Sequence, residues 1–238
     1  MTRQELLKIA KPILFNTDMV RAILDDIKEC TRRIIKEFIP NDAVWGYTIF
    51  TPEGYISCRG TYEDGHGEKF FKLPYRPGDI LYVRETWRWL PCFDCNRDAW
   101  EHAPCKESVF NIKYRNCGCY VYKADIHSDM QDMFKWHPSI HMPKEAARIF
   151  LRVMDVRLER LQDITADEAV KEGVYPSNCR NCTSKMGCDT CLDEGYDEID
   201  RFIKIWNSTI KKSDLDLYGW DANPWVWVIE FEKLEVER

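Results

Sequence analysis

No stretch of this chain is apolar for long enough to cross a bilayer as a helix, since its longest apolar runs, such as Trp225 to Ile229, stop after five residues. The N-terminus offers no unbroken apolar segment of the kind a secretory leader needs, because Gln4, Glu5, Lys8 and Lys11 interrupt it, and a cytoplasmic location without membrane is expected. Excess positive charge is missing too: 34 Lys+Arg against 40 Asp+Glu leave a formal net charge of −6 and a pI near 5.5. That balance argues against a protein that coats nucleic acid by bulk electrostatics. Any nucleic-acid contact must use a local basic patch, and the candidates are Arg32, Arg33 and Lys36, then Arg84 and Arg88, then Arg148, Arg152, Arg157 and Arg160. Taken singly, each set reads first as a solvated face. Internal repeats, low-complexity tracts and a regular βαβ rhythm are all absent.

The 238 residues, 45% apolar and 31% charged, are enough to bury a real core. Nine Trp, eleven Tyr and eleven Phe make that core aromatic-rich, with rings to spare for a cleft. Pro12 to Phe15 reads as a short strand. It leads to a helix that Thr17 can cap, with Val20, Ile23, Leu24 and Ile27 on one stripe. Residues 43 to 60 read as two strands about a turn at Thr51-Pro52-Glu53-Gly54, and Pro77-Gly78-Asp79 feeds a strand from Ile80 to Trp89. Tyr120 to Ala124 and a stretch ending near Arg160 are strand-like, and His137 to Pro143 is a rigid loop before a short helix over Lys144 to Arg148. Thr165 with Glu168 forms a capping box, and Gly173 stops the helix, placing Glu172 in its last turn. The chain closes with a helix from Glu198 to Ile210 and an alternating strand from Trp225 to Phe231. Many strands with irregularly placed helices point to an α+β fold, mainly β, built as a small barrel.

The run Lys28-Glu29-Cys30-Thr31-Arg32-Arg33 carries the densest chemistry. Read as the close of the first amphipathic helix, it stacks Lys28 and Thr31 one turn apart on one face, a cation beside a hydroxyl nucleophile. A basic last turn equally complements the helix dipole.

With no secretory leader, eleven cysteines read as metal ligands better than as disulfides. Cys179, Cys182, Cys188 and Cys191 are spaced C-x2-C-x5-C-x2-C, which lets paired knuckles close four thiolates around one structural zinc, with an iron–sulfur cluster as the alternative. A second zinc is expected on Cys92, Cys95, Cys117 and Cys119. Cys105 is a possible substitute for either of the last two, and His102 lies nearby. These ligands fall in cysteine-rich insertions at 90–119 and 177–193, which could also form a docking surface for a protein partner. Cys30 and Cys58 stand apart and read as buried small apolar residues.

The order of these motifs resembles the ASCH domain of the PUA-like superfamily. Phage- and prophage-encoded members are the most similar, through KPILFNTDMVRAIL, PYRPGDILYVRETW, PSIHMPKEAARI, LERLQDIT and GWDANPWVWVIEFE. The resemblance runs over residues 11–238 as one domain outside the insertions, with 1–10 as an N-terminal extension. It implies a small β-barrel with flanking helices and a cleft for RNA or a modified nucleoside. It further implies possible amidohydrolase activity on N4-acylated cytidine by a lysine, a threonine and a glutamate, which fall on Lys28, Thr31 and Glu172. The family motif reads G-R-K-T-x-T-x-R, whereas here Asp26 and Ile27 precede Lys28 and Glu29 follows it.

In such chemistry Thr31 would attack, with Lys28 as its base, or Glu172 would be the base while Lys28 stabilises the oxyanion. The non-catalytic alternative is a binding module. There Arg32 and Arg84 would hold phosphate, and Trp45, Trp87 and Trp136 would stack a base.

Overall fold

The computed structural model of the protein describes residues 1–46, 54–91, 118–174 and 198–236. In chain order the elements are α1 (Arg3–Ile9), β1 (Lys11–Leu14), α2 (Thr17–Leu24), β2 (Cys30–Ile34), β3 (Val44–Trp45), β4 (Tyr55–Tyr62), β5 (Gly65–Lys72), β6 (Ile80–Arg84), β7 (Trp87–Pro91), β8 (Gly118–Tyr122), α3 (Ser128–Gln131), β9 (Phe150–Arg160), α4 (Ala166–Lys171), α5 (Glu198–Thr209), α6 (Leu215–Tyr218) and β10 (Trp225–Lys233). This is a mixed α+β fold in which strands predominate. The strands lie in open ladders, and no barrel closes among the described residues. No helix among them is long and apolar enough to cross a membrane.

The chain divides into two compact units, and the boundary falls within α2 and again at the ends of β6 and β9. The first holds Met1–Arg21 and Leu81–Phe150, with the tail from Glu235. Its α1 begins at a reciprocal capping box between Thr2 and Glu5, buries Leu6 and is tied down by Arg3 Nε on the Ala147 carbonyl at 3.1 Å. Residues 1–10, read from sequence as an extension, thus hold a capped helix. β1 runs parallel to β6, with Ile13 opposite Val83, both buried.

The single strand expected from Ile80 to Trp89 is two strands. β6 pairs with β1 and β7 with β8, and the chain changes partner at Glu85 and Thr86. Glu85 is the reason for the break: its side chain, 1% exposed, takes Arg148 in a fork at 2.8 and 3.0 Å, and its N–H meets Met142 Sδ. Arg148 also forks onto Asp125 at 2.7 and 2.9 Å and lies 4.0 Å over the Tyr122 ring.

The second unit holds Ala22–Ile80 and Leu151–Leu234. β10 is its spine, antiparallel to β9 on one side and β2 on the other, with a bulge between Glu230 and Phe231. A second antiparallel ladder runs β3, β4, β5. β5 was not foreseen: two glycines dilute its alternation, and only Phe71 along it is buried.

Over one face of the β9–β10–β2 ladder, α4 and α5 pack through Ala169, Phe202, Trp206, Val226 and Val228. Burying such side chains is worth roughly 1.5–3 kcal/mol each, which is what holds two helices with little apolar length of their own. Gly78 turns the chain at φ 88 after Pro77, and the Asp79 carboxylate takes the Arg76 N–H at 2.8 Å.

Candidate functional site

The first helix ends earlier than the sequence suggested. Asn16, not Thr17, caps α2, its Oδ1 accepting from the Met19 N–H at 2.8 Å. After Leu24 the chain turns at Asp26, whose φ of 56 is left-handed, and the N–H groups of Ile27 and Lys28 both return to the Ala22 carbonyl at 2.9 and 3.0 Å. Lys233 from β10 reinforces this end, pairing with Asp26 and reaching the Ile23 and Leu24 carbonyls at 3.5 Å.

Lys28 therefore sits in the link between α2 and β2, and Thr31 is a strand residue. Their expected stacking on a helical face is not realised. Along β2 successive side chains alternate, so Cys30 and Arg32 share one face and Thr31 takes the other, opposite Ile229 of β10.

Lys28 instead meets Glu172, 144 residues away in the chain. Lys28 Nζ donates to the Glu172 carbonyl at 2.6 Å and to its Oε2 at 2.8 Å, with side chains 0% and 6% exposed. Two local features place the carboxylate. The α4 capping box is made as expected: Thr165 Oγ1 accepts from the Glu168 N–H, and Glu168 Oε2 accepts from the Thr165 N–H. Gly173, at φ 95, then turns the chain so tightly that a Cβ there would lie 2.9 Å from the Ala22 Cβ and 3.2 Å from the Lys28 Cβ. The Glu29 N–H bonds the Lys171 carbonyl at 2.8 Å, fixing the two backbones side by side.

Arg32 completes the cluster with no side-chain exposure. Its Nη1 lies 3.3 Å from Glu172 Oε1, and its Nη2 lies 3.1 Å from both Glu159 Oε2 and Glu168 Oε2. Glu168 passes the network outward to Arg157 at 2.7 Å, and Arg157 also pairs with Glu159 and Glu230. Burial works against the Arg32 charge, but Glu172, Glu168 and Glu159 more than offset it and raise its pKa. Burial likewise opposes the Glu168 carboxylate, yet the Thr165 N–H, Arg32 and Arg157 hold it below the ordinary range. Cys30 lies beside this cluster, and burial, helped by Glu172, pushes its thiol pKa well up. Cys30 and Cys58 are free and buried, as their isolation in sequence suggested.

Sequence reasoning did not single out Glu159, Glu168 or Glu230 for this site and read Arg157 as a surface cation. The signal was present in β9, where Asp155, Arg157 and Glu159 alternate onto the face that α4 covers. The other proposed binding residues have surroundings of their own. Trp45 packs edge-on against Trp225 at 5.3 Å and Phe71 at 5.5 Å in the second unit. In the first unit Trp87 stacks on His137 at 4.9 Å, Arg84 bonds the Ile140 carbonyl, and Trp136 packs edge-on against Phe134 and donates to the Gln131 carbonyl at 2.8 Å. The buried side-chain atoms without a partner include Arg32 Nε and the indole nitrogens of Trp45, Trp87 and Trp225, all of them donors.

Cys92, Cys95, Cys105, Cys117, Cys179, Cys182, Cys188 and Cys191 lie outside the described residues, as do His102 and the turn at Thr51 to Glu53. Cys119 is in β8, and its side chain is not among those described. Comparison with protein-family models, with characterised proteins and with solved structures finds no match to this chain.

Proposed function

We propose that this chain is an ASCH-type, PUA-like protein that binds RNA or a modified nucleoside at the cluster of Lys28, Arg32 and Glu172. One observation carries the reading: a lysine and a glutamate assigned by motif order to one site, 144 residues apart, touch at 2.8 Å in a buried pair. Ion pairs are seldom buried unless paired and hydrogen-bonded, and this one is fixed by a capped helix, a left-handed glycine and a strand.

The same contact favours a second reading, hydrolysis of an N4-acylated cytidine. With Thr31 on the far face of β2, the attacking group is water. Glu172 takes a proton as water oxygen adds to the acyl carbonyl, Lys28 stabilises the oxyanion, and the proton passes to N4 as the C–N bond breaks. The products are the free acid and cytidine. In the same proposal the two cysteine sets hold structural zinc, and metal-free purified protein would refute that part.

The test is calorimetric titration with cytidine, N4-acetylcytidine and a short single-stranded RNA, together with chromatography for released acetate. Binding lost in Lys28→Ala supports the site, and acetate release lost in the same variant supports hydrolysis. Failure of all three ligands to bind would refute the function.

A further inference from the structure

Every nitrogen of the Arg32 guanidinium has an acceptor except one. Nη1 meets Glu172 and the Cys30 Sγ, Nη2 meets Glu159 and Glu168, and Nε is buried with no acceptor. A guanidinium with no side-chain exposure cannot turn Nε toward water, so this N–H is an unfilled valence in a network otherwise closed around it. It lies on the same planar group that touches Glu172, the partner of Lys28.

The charges around it decide what can fill it. Lys28, Arg32 and Arg157 bring three positive charges, while Glu159, Glu168, Glu172 and Glu230 bring four negative ones. Asp155, 3.8 Å from Arg157, adds a fifth. A phosphate or carboxylate entering here would face a field already dominated by anions, with the Arg32 charge spoken for by three carboxylates. A neutral acceptor carries no such penalty.

We infer that Arg32 Nε receives a neutral carbonyl oxygen of the ligand, of the kind borne by a nucleobase or an amide, and that the site discriminates against phosphate. This rests on the function proposed above and reverses the part expected of Arg32 from sequence, where it was a candidate phosphate contact. A donor built to be filled by a ligand acceptor rejects analogues that lack it, because the donor is then left buried and unpaired.

Nitrogen-detected magnetic resonance of the Arg32 Nε–H, assigned through its own side-chain carbons in wild-type protein, reads this directly. Cytidine and N4-acetylcytidine are expected to shift that signal, and inorganic phosphate to leave it in place. Cytidine 5′-monophosphate should bind no more tightly than cytidine. Arg32→Lys, which keeps the charge and removes Nε, should weaken nucleoside binding about tenfold or more while the protein still melts cooperatively. The wild-type resonance decides the matter if that variant does not fold. A shift with inorganic phosphate, tighter binding of the monophosphate, or full nucleoside affinity in folded Arg32→Lys would overturn the inference. Nucleoside binding that leaves the Nε–H signal unmoved sinks this inference alone, whereas absence of any binding sinks it together with the proposed function.

Discussion

Removing Glu172 from its pair with Lys28 should destabilise the second unit more than removing both members. In Glu172→Leu, Lys28 Nζ loses the carboxylate at 2.8 Å and Arg32 Nη1 loses its acceptor at 3.3 Å, in a place where neither side chain is exposed. A charge stranded in this way costs about 3–5 kcal/mol, and the upper end applies because two cations share the lost carboxylate. Lys28→Met strands Glu172 instead, but Arg32 still offsets that charge, so a cost of about 3 kcal/mol is expected. The double variant Lys28→Met/Glu172→Leu exchanges the pair for apolar volume and leaves Arg32 Nη1 without its carboxylate and the residue-172 carbonyl without its lysine donor, a cost of about 1–3 kcal/mol. It should therefore be more stable than Glu172→Leu, with a coupling of about 5–7 kcal/mol. Urea denaturation of the four proteins measures this, and high salt should change the coupling little, because buried pairs are poorly screened. Single variants that each cost under about 1 kcal/mol, or a double variant as unstable as the sum of the singles, would refute the buried pair.

Gly173→Ala should destabilise by more than about 1 kcal/mol, since alanine resists positive φ and its Cβ would collide with Ala22, and it should weaken ligand binding by displacing Lys28. Glu168 has a folded pKa below its unfolded value, so its stabilising contribution is full above the unfolded value near 4.5 and is lost as pH falls through the depressed one. Glu168→Gln should flatten the acid limb of a pH–stability profile, and an unchanged limb would refute this. The Arg148→Ala variant leaves Glu85 buried without its fork. Burial already raises the Glu85 pKa, and losing Arg148 raises it further, so the stability deficit should shrink as pH falls toward 5; a pH-independent deficit would contradict it. Native Cys30 should resist alkylation at pH 8 and react once the chain is unfolded in urea.

What could be read from sequence was what local chemistry controls. The Thr165 and Glu168 capping box, the stop at Gly173 and the alternation of Trp225, Trp227 and Ile229 are decided within a few residues and are present in the structure, whereas the expected continuation of that alternation to Phe231 runs into the bulge after Glu230, where the ladder's register shifts. The run from Lys28 to Thr31 misled because helical spacing was extended past Leu24. Asp25 and Asp26 at the end of α2 are disfavoured by the helix dipole, and that signal would have ended the helix sooner. The meeting of Lys28 with Glu172 depends on strand pairing and on α4 covering β9, so no local spacing contains it, and only motif order brought the two residues into one hypothesis. The same holds for Arg157 and Glu230, which pair across neighbouring strands 73 residues apart.

The central claim is that the buried cluster of Lys28, Arg32 and Glu172 is where the ligand sits. A crystal structure of the protein soaked with N4-acetylcytidine tests it most directly. The account predicts a nucleoside carbonyl about 3 Å from Arg32 Nε, beside the pair of Lys28 and Glu172. Density for the nucleoside elsewhere, such as on the stacked rings of Trp87 and His137 with the Arg32 edge still unfilled, would contradict it.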